Sequence, residues 1–226
     1  MTTSEAGRLD RARLLYERAV FGGDPDAPDA ADRELDAVEA GLALARGRVL
    51  HARFLRDRRE DPRELTLFER AVELYQGLGD QRGQAEALFW VGTVHQVIRA
   101  DHTTALPVLL RAHDLAVAAG DVLTASYTTR HIGFADMAAG RMEAAGRRLR
   151  ESIRLRREID FRPGVAAGLL ALAEWAAATG DRGLTRELLD EAVSVARDSD
   201  AHAVIGWADQ ARARIGAVSG EERGLE

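Results

Sequence analysis

Residues 164–197 read GVAAGLLALAEWAAATGDRGLTRELLDEAVSVAR, two helical stretches on either side of Gly180-Asp181. The same arrangement recurs along the chain. A small residue marks the first helix of four successive blocks at spacings of 40, 41 and 40 residues, at Ala52, Gly92, Gly133 and Ala173. A second small residue follows 19 or 20 residues later in each block, at Ala71, Ala112, Ser152 and Ala192. Self-similarity at such a fixed period predicts a stack of helix pairs.

The apolar pattern has helical spacing and no segment alternates at period two, so the sequence predicts an all-α chain. Turn and cap residues such as Gly-Asp and Asp-Pro separate the segments, and 22–32 is predicted to be a loop. Pro107 is expected to kink its helix. We expect a single domain over 1–226, with a partial repeat at 5–20, repeats at about 32–78, 82–119, 122–159 and 164–197, a capping helix at 200–217 and a frayed tail at 218–226.

Composition limits the chemistry. The chain has 226 residues, 46% apolar and 30% charged, which is typical of a folded protein. No apolar run approaches the roughly 20 residues of a membrane span, and the first residues contain no apolar signal segment. Cysteine, lysine and asparagine are absent, which excludes thiolate metal sites and lysine or asparagine catalysis. We expect a cytoplasmic protein from a high-GC bacterium, and the net charge of −6 argues against nucleic-acid binding.

Several short motifs carry a family resemblance. Leu172-Ala173 with Gly180-Asp181, and Ile132-Gly133 with Gly140, resemble the first helix and turn of a tetratricopeptide repeat (TPR). The second-helix ending of that repeat is similar to Glu69-Arg70-Ala71, Glu191-Ala192 and residues 14–19, LLYERA. The repeat length is that of the longer, kinesin-light-chain variety. The resemblance covers about 5–217 and implies a right-handed α-solenoid, although Thr185 and Pro107 depart from the family pattern.

The resemblance also implies which residues line the concave face of the solenoid. They lie six and three positions before the first small residue of a block, and one and four after it. In block order they are Arg46, Val49, Arg53 and Arg56; Glu86, Phe89, Thr93 and Gln96; Tyr127, Arg130, Phe134 and Met137; and Ala167, Leu170, Glu174 and Ala177. His131, beside Arg130, is expected near the same groove.

Two features of this groove have alternative interpretations. The four arginines at 46, 53, 56 and 130 either bind a carboxylate or phosphate or pair with Glu86 and Glu174. The aromatic residues either form the walls of a small-molecule pocket or pack in the core, at Phe89, Trp90, Tyr127, Phe134 and Trp175. The arginines of 141–159 alternate with glutamates, so we expect a solvated convex face there.

Four classes of function follow. The first is a binding module that holds a peptide or partner protein in its concave groove, in a regulatory or scaffolding role; an acidic partner is one alternative. The second is a small-molecule sensor or carrier. The third is an enzyme that uses Glu86, Tyr127, Arg130 and His131, although no nucleophile motif supports it. The fourth is a homodimer formed through the last helix, by way of Ile205, Trp207 and Ile215. We favour the first and expect no cofactor and no metal.

Overall fold

A computed structural model describes residues 4–221, and the side chains of 4–214. This part of the chain is helical and contains no strand, as predicted. The first compact unit ends at Gly120 and the second begins at Asp121. The first unit contains α1 Glu5–Gly22, α2 Ala27–Asp57, α3 Arg63–Leu78, α4 Gln81–Thr93 with a π-helical continuation Val94–Ile98, and α5 His102–Ala118. The second contains α6 Val122–Ala138, α7 Met142–Glu158, α8 Arg162–Ala178, α9 Arg182–Asp198 and α10 His202–Glu221.

Two predicted boundaries are wrong. Helix α2 begins at Ala27, so most of the predicted loop over 22–32 is helical; a proline in the first turn, Pro28, is compatible with a helix start. Helix α10 continues to Glu221, which places 218–221 in a helix instead of the predicted frayed tail. The rest of that tail, 222–226, lies outside the described residues. Helix α5 runs through Pro107.

The Gly-Asp turns end one helix and start the next. Gly120 and Gly180 adopt the left-handed conformation, with φ of 65° and 82°, which ends α5 and α8 without a Cβ clash. The next residues cap the following helices: the carboxylate of Asp121 accepts a hydrogen bond from the Thr124 amide at 3.2 Å, and that of Asp181 from the Leu184 amide at 2.9 Å. Within the second unit, the short turn at Gly180-Asp181 joins α8 and α9, which pack against each other.

Helices pack in pairs at the small residues. A Cβ added at Gly92 of α4 would lie 2.7 Å from Cγ of Leu109 in α5, and one added at Gly133 of α6 would lie 3.3 Å from Cγ of Leu149 in α7. The absence of a side chain therefore lets the two axes approach closely. In the second unit α8 pairs with α9 around Ala173, which is fully buried.

The small residue of the first block is Gly47, not Ala52. Ala52 is exposed, whereas a Cβ at Gly47 would overlap the ring of Phe68 in α3. Helix α2 continues to Asp57, ten residues beyond Gly47, and is followed by a five-residue turn at 58–62, whereas α6 ends five residues beyond Gly133 and is followed by a three-residue turn. Counting by a constant period therefore assigns the wrong register here. The groove positions that follow from Ala52 are shifted with it.

Each unit has its own apolar core. In the first unit Phe68, Ala71, Val91 and Val94 pack together with the half-buried ring of Trp90. In the second, Leu149, Leu169, Leu172 and Leu189 are part of the core of α7, α8 and α9. None of the described helices is both long enough and apolar enough to cross a membrane.

Candidate functional site

Two of the predicted arginines line an open groove in the first unit. The groove has a volume of about 600 Å³ and lies between α2 and α3, where Arg46 and Arg53 flank the apolar side chains Val49 and Leu67. Val49 is 53% exposed. Among the described residues neither Arg46 nor Arg53 has a hydrogen-bond or ion-pair partner. The groove therefore offers two free cations beside an exposed apolar surface.

The acidic groups beside this groove have arginine partners of their own. Asp57 accepts two hydrogen bonds from Arg56 at 2.7 Å, and Asp61 accepts one from Nη2 of Arg63 at 2.6 Å. Hydrogen bonds from the side chain and the backbone of Arg63 lower the pKa of Asp61 to about 2. The positive charge of Arg53 also lowers this pKa, by a smaller amount and without a hydrogen bond to Asp61. The predicted ligand residue Arg56 is thus engaged within its own helix, whereas Arg46 and Arg53 are not.

The predicted pairing of Glu86 occurs, with a different arginine. Nη1 of Arg48 lies 3.3 Å from Oε1 of Glu86. Arg48 directly follows Gly47, so it takes the position that the sequence analysis assigned to Arg53. The corrected register of α2 accounts for the change.

The other predicted groove residues of α4 and its π-helical continuation are buried: Phe89, Thr93 and Gln96. The Thr93 hydroxyl donates to the Phe89 carbonyl oxygen at 2.9 Å, and Nε2 of Gln96 lies 3.2 Å from Nδ1 of His102. Trp90 stacks on Phe68 with 5.5 Å between ring centroids, so core packing is the correct interpretation for this ring.

Trp175 also packs within its unit. Its Nε1 donates to the Met142 carbonyl oxygen at 2.7 Å, and the Arg150 guanidinium lies 4.7 Å from its ring centroid. The last helix α10 packs on α8 and α9, and Ile205 contacts the apolar cluster around Val204. Trp207 is partly exposed, and the side chain of Ile215 lies outside the described residues.

The remaining predicted residues lie in the second unit. Arg130 and His131 are neighbours on α6, with Nη2 of Arg130 3.3 Å from Nε2 of His131. The Arg130 guanidinium lies 5.6 Å from the ring centroid of Phe134, and Tyr127 contacts Phe161 edge to face at 6.0 Å. Oε1 of Glu174 accepts from Arg214 at 2.7 Å. The residues Tyr127, Arg130, His131 and Phe134 thus occupy one stretch of α6.

Arg156 is a member of this group that the sequence analysis missed. It was assigned to a solvated convex face on α7, but its side chain is fully buried, and its guanidinium lies 4.9 Å from the ring centroid of Tyr127. Burial, together with the nearby charge of Arg130, lowers the pKa of Arg156 to about 9. Burial also lowers the pKa of Arg130. The spacing of Leu149, Ile153 and Arg156 at i, i+4 and i+7 is the signal that places Arg156 on the core face.

Two exposed arginines of α7, Arg147 and Arg154, pair with glutamates of the same helix as predicted, whereas Arg148 and Arg157 pair with Asp136 and Glu191 on other helices. Arg154 pairs with Glu151 at 2.7 Å and with Glu158 at 3.0 Å, and Arg147 pairs with Glu143. Within residues 4–214 no group of three or more histidine, aspartate or glutamate side chains is arranged to hold a metal ion.

Comparisons with known proteins show the fold. No family model and no curated protein matches the sequence. Solved structures do match: a Rap protein in complex with Competence and Sporulation Factor has a TM-score of 0.63 at 13% identity, over 92% of this chain and 58% of that one. Aspartyl phosphate phosphatase F from Bacillus subtilis has a TM-score of 0.62 at 10% identity, over 91% of this chain and 54% of that one. The apo form of RapI has a TM-score of 0.59 at 12% identity, over 87% and 71%.

This chain therefore spans between about half and three quarters of the length of these three structures. The Rap proteins consist of TPR repeats, and the likeness extends over nearly the whole of this chain. The protein has the TPR-type helical-repeat fold.

Proposed function

We propose that the protein is a TPR-type binding module that holds an acidic segment of a peptide or partner protein in the groove between α2 and α3, in a regulatory or scaffolding role. The observation that carries the proposal is the pair Arg46 and Arg53, two free guanidinium groups that flank the exposed side chain of Val49 and the half-buried side chain of Leu67. Exposed apolar surface with a charged rim is typical of a protein-interaction site.

The charge of the groove selects the partner. A guanidinium group matches the planar, two-oxygen geometry of a carboxylate, so aspartate and glutamate side chains are suited to Arg46 and Arg53. Val49 and Leu67 then favour an apolar residue between the acidic ones. The net charge of −6 over the whole chain opposes long-range attraction of any polyanion such as nucleic acid, so a short acidic segment would be held by local contact with Arg46 and Arg53.

The fold is compatible with this role. One of the structurally similar proteins, a Rap protein, has been solved in complex with Competence and Sporulation Factor. The proposal for this chain depends on its own groove, because the identity to that protein is 13%.

Selection from a random peptide library tests the proposal. The purified full chain is the bait, next to a variant with Arg46→Glu and Arg53→Glu. A control with Arg13→Glu and Arg33→Glu carries the same change of net charge at exposed arginines elsewhere. We expect enriched peptides to combine acidic and apolar residues, and to lose at least about tenfold in affinity for the groove variant but not for the control.

Two results would overturn the proposal. One is a selection that enriches nothing above background, or peptides without an excess of aspartate and glutamate. The other is enriched peptides that bind the groove variant as tightly as the unmodified chain.

A further inference from the structure

Arg156 is a buried cation without a counter-ion. Its side chain is fully buried in the second unit. Nη1 donates to the Gly164 carbonyl oxygen at 2.7 Å, and Nε lies 3.4 Å from the Ser126 hydroxyl oxygen. The third nitrogen, Nη2, is buried and has no hydrogen-bond partner. A fully buried guanidinium that leaves one donor group unused is costly, and such a group normally has an anionic partner.

A second guanidinium group, that of Arg130, lies in the same region and also has a buried N–H group without an acceptor. Nε of Arg130 is buried and has no hydrogen-bond partner, although its Nη2 contacts His131. The charges of Arg130 and Arg156 repel each other, and this repulsion adds to burial in lowering the pKa of Arg156. Two neighbouring cations, each with an unused N–H group, form a pair of donors that lacks its acceptor.

The acidic residues of the second unit do not supply that acceptor. Glu174 acts on Arg130 from a distance, but its carboxylate accepts a hydrogen bond from Arg214 at 2.7 Å. Asp136 accepts from Arg141 at 2.8 Å and from Arg148 at 3.0 Å. Within the described residues neither Arg130 nor Arg156 takes part in an ion pair.

The start of α8, next to Arg156, has no acidic N-cap. Helices α4, α6 and α9 begin with the side chains of Asp80, Asp121 and Asp181 as N-caps. The N-cap residue of α8 is Phe161, whose side chain makes no such cap, and Arg156 donates to the Gly164 carbonyl oxygen in the first turn of α8. The positive end of the helix dipole therefore adds to the charges of the two guanidinium groups. An anion bound beside Arg130, Arg156 and the N-terminus of α8 would be attracted by both guanidinium groups and by the helix dipole, and it would offset the repulsion among them.

We propose that the second unit contains an oxyanion site, in which a carboxylate or phosphate group of a small ligand accepts hydrogen bonds from Nη2 of Arg156 and Nε of Arg130. The ring of Tyr127 forms the apolar wall that orients Arg156. This site goes beyond the proposed peptide groove: it lies in the other unit and uses none of the same residues.

Binding of simple anions to the full chain tests the site. The probes are sodium phosphate and sodium acetate, each titrated at constant ionic strength with sodium chloride as the balancing salt. Nε–Hε signals in ¹⁵N NMR spectra report on the two arginines, and variants assign them. We expect both signals to shift saturably with at least one probe, and Tm to rise with the same concentration dependence.

Three variants locate the effect. Arg156→Met keeps the length of the side chain but removes the charge, and should abolish the saturable change. Arg130→Met should weaken binding about tenfold, since it removes one charged hydrogen bond. Arg154→Met, two residues away on the exposed face of α7, is the matched control and should leave binding unchanged. If Arg156→Met does not fold, Arg156→Lys keeps the charge without the planar donors and should also weaken binding about tenfold.

The two probes identify the chemistry of the group. Tighter binding of phosphate indicates a phosphate-bearing ligand, and tighter binding of acetate a carboxylate. The site is overturned if neither probe produces a saturable shift, or if Arg154→Met removes the effect as fully as Arg156→Met does. Arg46→Glu with Arg53→Glu should leave the anion response intact, so failure of the peptide groove and failure of this site are distinguishable.

Discussion

Nδ1 of His51 lies 2.9 Å from Oε1 of Glu64, and both side chains are buried between α2 and α3. The other oxygen of Glu64 has no hydrogen-bond partner, so the carboxylate depends on His51 for its one contact. The edge of the His51 ring also contacts Trp90, with centroids 5.1 Å apart. This polar pair therefore fixes how α2 meets α3, beneath the groove that carries Arg46 and Arg53.

Replacement of Glu64 tests the structural role of this pair. Glu64→Ala leaves His51 buried without its partner and opens a cavity, so we expect the free energy of unfolding to fall by about 2–4 kcal/mol. Urea denaturation followed by circular dichroism measures the change. Glu69→Ala, on the exposed face of the same helix, should change it by less than about 0.5 kcal/mol. Equal effects of the two substitutions would show that the buried pair contributes nothing specific.

The close contact at Gly92 predicts a second stability effect. A Cβ atom added at Gly92 would lie 2.7 Å from Cγ of Leu109, so the side chain introduced by Gly92→Val would overlap that of Leu109. Leu109 is itself fully buried and has little room to move. We expect a loss of about 2–3 kcal/mol from overpacking. Gly206→Ala in α10 is the opposite case: nothing lies within 4 Å of the new Cβ, and the helix gains about 1 kcal/mol. Thermal unfolding of both variants measures these changes. A Gly92→Val variant as stable as the unmodified chain would contradict the close contact between α4 and α5.

The turn before α5 contains a strained alanine. Ala100 has a φ of 53°, in the left-handed region that glycine occupies at the Gly-Asp turns. Ala100→Gly should therefore raise the free energy of unfolding, by up to about 1 kcal/mol. Ala45→Gly, at an exposed position inside α2, should lower it by about 1 kcal/mol. Chemical denaturation that gives the two changes the same sign would refute this assignment of strain.

The lowered pKa of Arg156 predicts a pH dependence. Its pKa is about 9 in the folded chain, where burial and Arg130 disfavour the charge, well below the pKa of an exposed arginine. Between these values the unfolded chain binds more protons, so stability rises with pH. Below about pH 9 both states carry the charge, and the full cost of burying it remains.

Comparison with Arg156→Met isolates this contribution from that of other titrating groups. In buffers without multivalent anions, the stability of the unmodified chain relative to Arg156→Met should rise between pH 9 and 11, by at most about 1.4 kcal/mol per pH unit. Urea titrations at several pH values measure it. A difference that stays constant, or falls as the pH rises, would contradict a buried and charged Arg156.

The helix crossings could be predicted from the sequence wherever the turns have a constant length, whereas the buried charge of Arg156 could not. With three-residue turns, the period locates Gly92 and Gly133 correctly at their helix crossings. The longer end of α2 after Gly47 and the longer turn at 58–62 together break that period, so the crossing residue was predicted at Ala52 instead of Gly47. The turns at Gly120-Asp121 and Gly180-Asp181 could be predicted from the sequence because the interactions that form them are between residues close in the chain.

The arginine site was less predictable. Arginine is usually exposed, and the glutamates of α7 pair with Arg147 and Arg154, so composition favoured a solvated face for Arg156. Its spacing from Leu149 and Ile153 indicates the core, but a charged residue in a core position is an exception to the pattern that no local rule identifies. Burial without a counter-ion depends on tertiary packing, which the sequence alone does not display.

The most direct measurement of the central claim, that Arg46 and Arg53 hold an acidic segment, is a charge swap followed by fluorescence anisotropy. One labelled peptide carries the acidic sequence obtained by selection, and a second has its acidic residues replaced by arginine. We predict that the unmodified chain prefers the acidic peptide and that the variant with Arg46→Glu and Arg53→Glu prefers the basic one, each by at least about tenfold. Unchanged preference in the variant would contradict the account.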